Sequence, residues 1–336
     1  MILVTGGAGF IGSNLHAALC AAGREVVVAD WLGDTGAGAA SADAPGKWRN
    51  LRHHIPLQII NPDEIEDFLA RHPPLETIVH LGAISETTAT DGDLVWARNV
   101  TLSQTLWSWC ANRGVRFIYA SSAATYGNGA QGFDDEFSTT ALRRLKPLNL
   151  YGWSKHAFDL WVAHQVETNS YAPPGWAGIK FFNVYGPNEY HKGKMVSVVK
   201  VKHDEVAAGG PARLFRSTEP GIADGAQARD FIYIDDVIAV LKFLVEAPAL
   251  HGLYNLGTGI ARSYADLARA VCAANNVPER IEYIDMPAAL HGQYQSFTQA
   301  PMQKLRQAGY DAPFASLEDG VRAYVQNYLT QADPYK

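Results

Sequence analysis

The chain is predicted to fold as an α/β protein built on a doubly wound parallel sheet. Three observations carry that prediction. Short apolar runs alternate with helix-length amphipathic segments. The runs are continuous, as in Glu25–Ala29 with its three successive valines, and so suit a sheet covered on both faces. The first run, Met1–Val4, leads into a glycine-rich turn that opens a helix.

The elements follow in order. Met1–Val4 is a strand, Phe10–Ala22 a helix closed by Gly23, and Glu25–Ala29 a second strand. Residues 33–50, rich in Gly, Ala, Ser and Asp, are a long loop. Glu64–Arg71 is a helix, Thr77–Leu81 a strand, Leu94–Asn112 a long helix and Arg116–Ala120 a strand. Tyr151–Glu167 is a helix and Gly178–Val184 a strand. Residues 186–228 then mix one helix, about 195–208, with polar loops. Strands Arg229–Ile234 and Leu253–Leu256 flank a helix from Asp235; helices near 263–275 and 317–330 enclose a strand, Arg280–Ile284. We expect two interleaved domains: 1–185 with 229–257 for a dinucleotide, and 186–228 with 258–336 for a substrate.

Composition narrows the function. The 336 residues carry 28 Lys and Arg against 34 Asp and Glu, a formal charge of -6, which argues against a nucleic-acid partner. No apolar run is long enough for a membrane span, and the N-terminus has no signal-peptide pattern. Three cysteines, Cys20, Cys110 and Cys272, lie far apart in helices where burial is expected, so a disulfide framework is not indicated and a cytoplasmic protein is. His53-His54 has no neighbouring acid or thiol at ligand spacing, so no metal is expected. Trp107 and Trp109, two apart in a helix, point to different faces.

Chemistry concentrates in three places. Gly7-x-Gly9-x-x-Gly12 between a strand and a helix allows close backbone approach to a pyrophosphate at a helix N-terminus. Asp30 ends the second strand, where an acid bonds ribose hydroxyls; Lys47, Arg49 and Arg52 follow in a position to neutralise a 2′-phosphate, which leaves NAD and NADP both open. Tyr151-Gly152-Trp153-Ser154-Lys155 places a phenol and an ammonium one helical turn apart, so the cation favours the phenolate that a general base needs. Ser121 and Ser122 stand at a strand's carboxyl end, where ligands sit in such sheets.

With these residues in view, the chain resembles the extended short-chain dehydrogenases/reductases along nearly its whole length. The matching stretches are TGGAGFIG (5–12), Asp30, HLGAIS (80–85), Asn99, SSAATYG (121–127), YGWSK (151–155), FNVYGP (182–187), RDFIYIDDV (229–237) and NLGTG (255–259). The resemblance implies a Rossmann-type fold, a nucleotide-sugar substrate and a tightly bound NADP or NAD. It implies a triad of Ser122, Tyr151 and Lys155, with Ser121 bonding the backbone. It also implies cofactor contacts from Gly6, Gly9, Phe10, Ile11, Gly12, Asp30, Trp31, Lys47, Leu81, Gly82, Ala83, Ile84, Ser85, Asn99, Lys155 and Val184.

A second layer, HKGKMVSV (191–198), ISETTATDG (84–92), KPLNLYGWSK (146–155), GQYQSFTQA (292–300) and AGYDAPF (308–314), resembles the ADP-sugar epimerase branch of that family. That resemblance implies inversion of C6″ of an ADP-linked heptose through a ketone, with Lys192 as a second acid/base. It implies substrate contacts from Ser122, Asn183, Lys192, Lys194, Phe215, Arg216, Ser217, Thr218, Arg229 and Tyr294, and a homo-oligomer. Lys194, Arg216-Ser217-Thr218 and the 33–46 and 219–228 loops depart from the branch's pattern. Two further readings stay open: another nucleotide-sugar epimerase, such as a UDP-hexose 4-epimerase, and a catalytically silent dinucleotide-binding protein. A 4,6-dehydratase fits less well, because Ala123 and Ala124 stand where that chemistry uses an acid pair.

Overall fold

Continuous apolar strands need cover on both faces, and the central strands here have it. The computed structural model describes residues 1–33, 46–247, 250–287 and 295–336. Its strands are β1 (Ile2–Thr5), β2 (Val26–Ala29), β3 (Gln58–Ile60), β4 (Thr77–His80), β5 (Arg116–Ser122), β6 (Trp176–Phe181), β7 (Asn183–Tyr185), β8 (Ala212–Phe215), β9 (Ala228–Tyr233), β10 (His251–Leu256), β11 (Ala261–Ser263) and β12 (Ile281–Ile284). The main sheet runs β10-β6-β5-β4-β1-β2-β3, and every pairing in it is parallel. Val4 and Val28 pack against Leu15, Leu19, Val237 and Leu241 of helices Phe10–Ala21 and Ile234–Glu246. Leu3, Val27, Ile78 and Phe117 face the other way, against Leu106, Trp107, Phe158 and Val162 of helices Leu102–Arg113 and Leu150–Glu167.

The strand order reverses at β1, which has β2 on one side and β4 on the other. Ligands of such sheets lie in the crevice at that point, beyond the carboxyl ends of the strands. Two smaller sheets, β11-β9-β7 and β12-β8, lie outside this one. The strand expected over 178–184 is in fact two: Phe182 N–H still bonds Leu256 O at 3.0 Å, but Asn183 leaves the main sheet and pairs with Phe231 of β9. The short strands β3, β8 and β11 were not expected at all. The long helix extends over 92–113 and contains a π turn, Ala97–Thr101. The helix placed near 195 begins at Val198, capped by Ser197 Oγ, and a turn kinked at Gly193 precedes it.

Cys110 and Cys272 are buried, whereas Cys20 is half-buried beside His16. Trp107 is enclosed by Phe117, Trp161 and Trp176. His53 pairs with Asp333 at 2.9 Å. Among the described residues, no group of His, Cys, Asp and Glu is placed to hold a metal ion, and no helix is long and apolar enough to cross a membrane.

Candidate active site

The glycine turn is packed backbone on backbone. A Cβ at Gly12 would lie 2.1 Å from Gly6 O, and one at Gly6, whose φ is +67°, would lie 2.6 Å from Gly82 N. The turn therefore forms a cradle that any side chain would fill. Helix Phe10–Ala21 has no side-chain cap and no acid in its first turn, which leaves its N–H groups and positive dipole end for an anion. Beyond β2, Asp30 Oδ2 accepts from Ala8 N–H at 2.9 Å and Oδ1 meets Lys47 Nζ at 2.7 Å. Arg49 lies over the Trp48 ring and Arg52 pairs with Asp333, so Lys47 is the base that meets Asp30. Trp31 carries Arg98 over its ring at 4.8 Å. These features fit a dinucleotide.

A run of hydrogen bonds spans the strand ends. Ser103 Oγ donates to Asn99 O at 2.7 Å, so it accepts from His80 Nε2 at 2.9 Å. That leaves His80 Nδ1 to accept from Thr5 Oγ1 at 2.7 Å, while Thr5 Oγ1 accepts from Gly82 N–H at 3.1 Å. Burial, helped by the Lys155 charge, lowers the His80 pKa to about 3 and keeps the ring neutral. Asn99, on the π turn, grips both backbone groups of Ile84 and donates to Ser154 Oγ at 2.9 Å. Ser154 Oγ donates in turn to Tyr151 O at 2.7 Å. The segment Leu81-Gly82-Ala83-Ile84-Ser85 is thus fixed between β1 and the helix that bears Tyr151.

Asn149 caps helix Leu150–Glu167, accepting from Gly152 N–H at 2.8 Å. A Cβ at Gly152 would lie 2.8 Å from Ala124 O, so this helix and the turn after β5 are in close contact. Ser122, ending β5, accepts from Ala124 N–H at 3.1 Å, and its hydroxyl is near enough to that of Tyr151 to favour the phenolate. Ser121 turns away. Its Oγ donates to Asp159 Oδ2 at 2.6 Å, a carboxylate rather than the expected backbone. Burial raises the Tyr151 hydroxyl above its ordinary pKa; the Ser122 hydroxyl opposes that and the Asp159 charge adds to it. Burial lowers Lys155 to about 8, against the pull of Asp159.

Lys192 lies on the turn Tyr190–Met195, its ammonium 5.2 Å from the centre of the Phe10 ring at the glycine turn. Burial lowers its pKa, and Glu189 opposes the shift. Neighbouring His191 accepts from Asn50 Nδ2 at 3.2 Å; burial and the charges of Lys47 and Lys192 depress it to about 3. Gly193, at φ +52°, turns the chain so that Lys194 is exposed. Asn183 is exposed at the start of β7 and Val184 is half-buried. Arg229 is buried in β9, bonded to Ala228 O at 3.0 Å. Phe215 ends β8, and the following turn is stapled by Asp224, which meets Arg216 Nη1 at 3.1 Å and Ser217 N–H at 2.8 Å; Thr218 is exposed. Tyr294 and residues 34–45 lie outside the described residues.

Sequence reasoning passed over Asp159 and Lys180, a buried pair behind Ser122. The signals were present: Asp159 continues the spacing of Tyr151 and Lys155, and Lys180 interrupts an apolar strand.

A Rossmann-type sheet, a glycine cradle at its switch point and a Ser-Tyr-Lys group beside it define a nicotinamide-dependent enzyme of the short-chain dehydrogenase/reductase type. The chain belongs to the NAD dependent epimerase/dehydratase family, which matches residues 2–257. It is 45% identical over 339 residues to an ADP-L-glycero-D-manno-heptose-6-epimerase of Nitratidesulfovibrio vulgaris, covering 100% of both chains. The solved ADP-L-glycero-D-manno-heptose-6-epimerase of Helicobacter pylori superposes with a TM-score of 0.76 at 29% identity, over 97% of this chain and 95% of that one. The UDP-glucose 4-epimerase of Thermus thermophilus, solved with NAD, gives a TM-score of 0.73 at 25% identity, over 96% and 97%.

Proposed function

We propose that the protein is an ADP-glyceromanno-heptose 6-epimerase. It interconverts ADP-D-glycero-D-manno-heptose and ADP-L-glycero-D-manno-heptose, a precursor of the lipopolysaccharide inner core. The observation that carries the reading is the Ser122–Tyr151–Lys155 group at the crevice, in a chain aligned from end to end with relatives of that name. The C6″ carbinol is not acidic, so inversion runs through oxidation to a ketone and re-reduction on the opposite face. A bound nicotinamide supplies the hydride acceptor and returns the hydride. Lys155 favours the Tyr151 phenolate, which takes the hydroxyl proton. Ser122 hydrogen-bonds the reacting oxygen. The ketone turns between the two hydride transfers, and Lys192 serves as acid/base for the second orientation.

The glycine turn and Gly82 hold the dinucleotide's pyrophosphate, and Lys47 on Asp30 favours NADP over NAD by offering a cation to a 2′-phosphate. Asn183, Lys194, Phe215, Arg216, Ser217, Thr218 and Tyr294 contact the substrate, with Arg229 as a bidentate phosphate donor. The working division remains 1–185 with 229–257 for the cofactor and 186–228 with 258–336 for the sugar nucleotide. The enzyme works in the cytoplasm as a homo-oligomer. The exposed indoles of Trp96 and Trp153, tilted by 39° with ring centres 5.4 Å apart, are apolar surface that a second copy would cover.

Incubation with ADP-heptose and UDP-hexose panels, followed by NMR of the epimer ratio, tests the reading. Turnover of a UDP-sugar and of no ADP-sugar would replace it with a 4-epimerase. Bound cofactor without turnover of either would make the chain a silent binder.

A further inference from the structure

Lys180 and Asp159 form an ion pair at 3.1 Å with both side chains enclosed, and the chemistry above does not use it. Such a pair is weak support for stability, because desolvating both charges offsets their attraction and apolar side chains would fill the same place. Its partners account for it better. Asp159 Oδ2 also accepts from Ser121 Oγ at 2.6 Å, and Oδ1 from Tyr119 OH at 3.1 Å. Lys180 Nζ donates to Thr125 Oγ1 at 2.5 Å and lies 4.6 Å from the centre of the Tyr126 ring. Thr125 Oγ1 donates onward to Ser122 O at 2.8 Å. The pair thereby joins helix Leu150–Glu167, strand β6 and the end of β5. Ser122 is held from both sides, through Ser121 and through Thr125. Tyr151 and Lys155 precede Asp159 on one helix face, by two turns and by one.

We propose that Lys180 and Asp159 are positioning residues for the reaction: together they fix Ser122 against Tyr151 and present the catalytic helix face with a neutral pair in place of a bare carboxylate. The inference rests on the roles given above to Ser122, Tyr151 and Lys155. The Asp159 charge opposes the Tyr151 phenolate, and the Lys180 ammonium meets that carboxylate at 3.1 Å. The other groups that face the pair are Lys155 and His156 from the helix, Asp135 beyond Lys180, and Lys304 beyond Asp135; His80 faces Lys155 from β4.

The test uses the cofactor-loaded enzyme and needs no substrate. Tyrosinate absorbance is titrated in each protein and the same trace is subtracted with Tyr151→Phe added, which isolates the Tyr151 midpoint. One charge two helical turns away, about 12 Å along the axis, shifts that midpoint by about one pH unit. Asp159→Asn should therefore lower it by about that amount, Lys180→Met should raise it, and the double variant should return it close to wild type. A purely structural pair would lower melting temperature without opposite shifts. Thr125→Val keeps the pair but releases Ser122, and should lower kcat about tenfold with KM unchanged and the midpoint no lower than in wild type. A folded Lys180→Met protein with an unmoved midpoint overturns the proposal, as does a double variant shifted as far as Lys180→Met. If Lys180→Met does not fold, an unmoved midpoint in Asp159→Asn has the same force. Failure of the wild type to turn over any nucleotide sugar would remove the proposed function and leave the titration readable.

Discussion

Replacing Gly12 by alanine tests the cradle directly. The new Cβ would lie 2.1 Å from Gly6 O, 2.8 Å from Gly6 C and 2.8 Å from Gly7 Cα. Every obstacle is backbone, so no side chain can swing aside. Restoring ordinary contact requires the turn and the helix to part by about 1 Å or more. Overpacking of this kind costs about 1–3 kcal/mol, which in a chain of this size lowers the melting temperature by about 1–4 °C. The larger effect falls on the cofactor. Moving the turn forfeits at least one charge-assisted N–H bond to a pyrophosphate, about 1.5–3 kcal/mol, or about 10- to 100-fold in Kd. Bound nicotinamide per purified chain, its dissociation constant and the melting curve measure both effects. Gly23→Ala is the control: its φ is +72° but nothing lies within 4 Å of the added Cβ. It should cost about 1 kcal/mol in stability and leave the cofactor in place. A Gly12→Ala protein that keeps wild-type cofactor affinity would refute the packing account.

Tyr151→Phe should lower epimerisation about 10²- to 10⁴-fold while the cofactor stays bound, measured as NMR epimer ratio beside nicotinamide content. Lys192→Met should do the same, and near-full activity in that variant would mean that one base serves both orientations. Lys47→Ala removes the cation at 2.7 Å from Asp30 and should weaken NADP about 10- to 100-fold relative to NAD in calorimetric titration; equal losses for both would place the 2′-phosphate elsewhere. His80 has a folded pKa of about 3 against an unfolded value of about 6.5, so the unfolded chain binds the extra proton. Its contribution is complete above the unfolded value and is lost as pH falls toward the folded one. At pH 5 that loss is about 2 kcal/mol, and His191 adds to it. Urea unfolding should show the drop between pH 7 and pH 5, and a constant midpoint would contradict the burial assigned to His80.

The sheet was legible where a strand's own residues decide its state. β1 and β2 lie in apolar runs, β4 is centred on Ile78 and Val79, and each is buried along its whole length. It was not legible at β3 or β11, three residues each and only partly covered, because so short a run has no period to read. The break at Phe182 was equally hidden: hydrophobicity continues across it, and only tertiary pairing shows that Asn183 has changed sheets. In the site, Gly12, Asp30, Tyr151 and Lys155 could be picked out because turn geometry and helical spacing are local, whereas the choice of Ser122 over Ser121 at the strand end came from resemblance. Lys192, Asn183 and Arg229 came from resemblance, since nothing in a loop lysine's neighbours tells what lies across from it. Asp159 and Lys180 went unread because each is meaningful only with the other, and 21 residues of chain separate them.

The hydrogen-bond run from Thr5 to Tyr151 also bears on how the enzyme ages and fails. It ties the first strand to a helix nearly half the chain away, through the side chains of Thr5, His80, Ser103, Asn99 and Ser154. Such a centre is assembled late and lost all at once, because no partly folded chain can hold a fraction of it. A destabilised population would therefore contain competent molecules and inert ones, with few that oxidise the sugar and then let the ketone escape. Damage far from the crevice should reduce the amount of working enzyme and leave the fidelity of each surviving molecule unchanged.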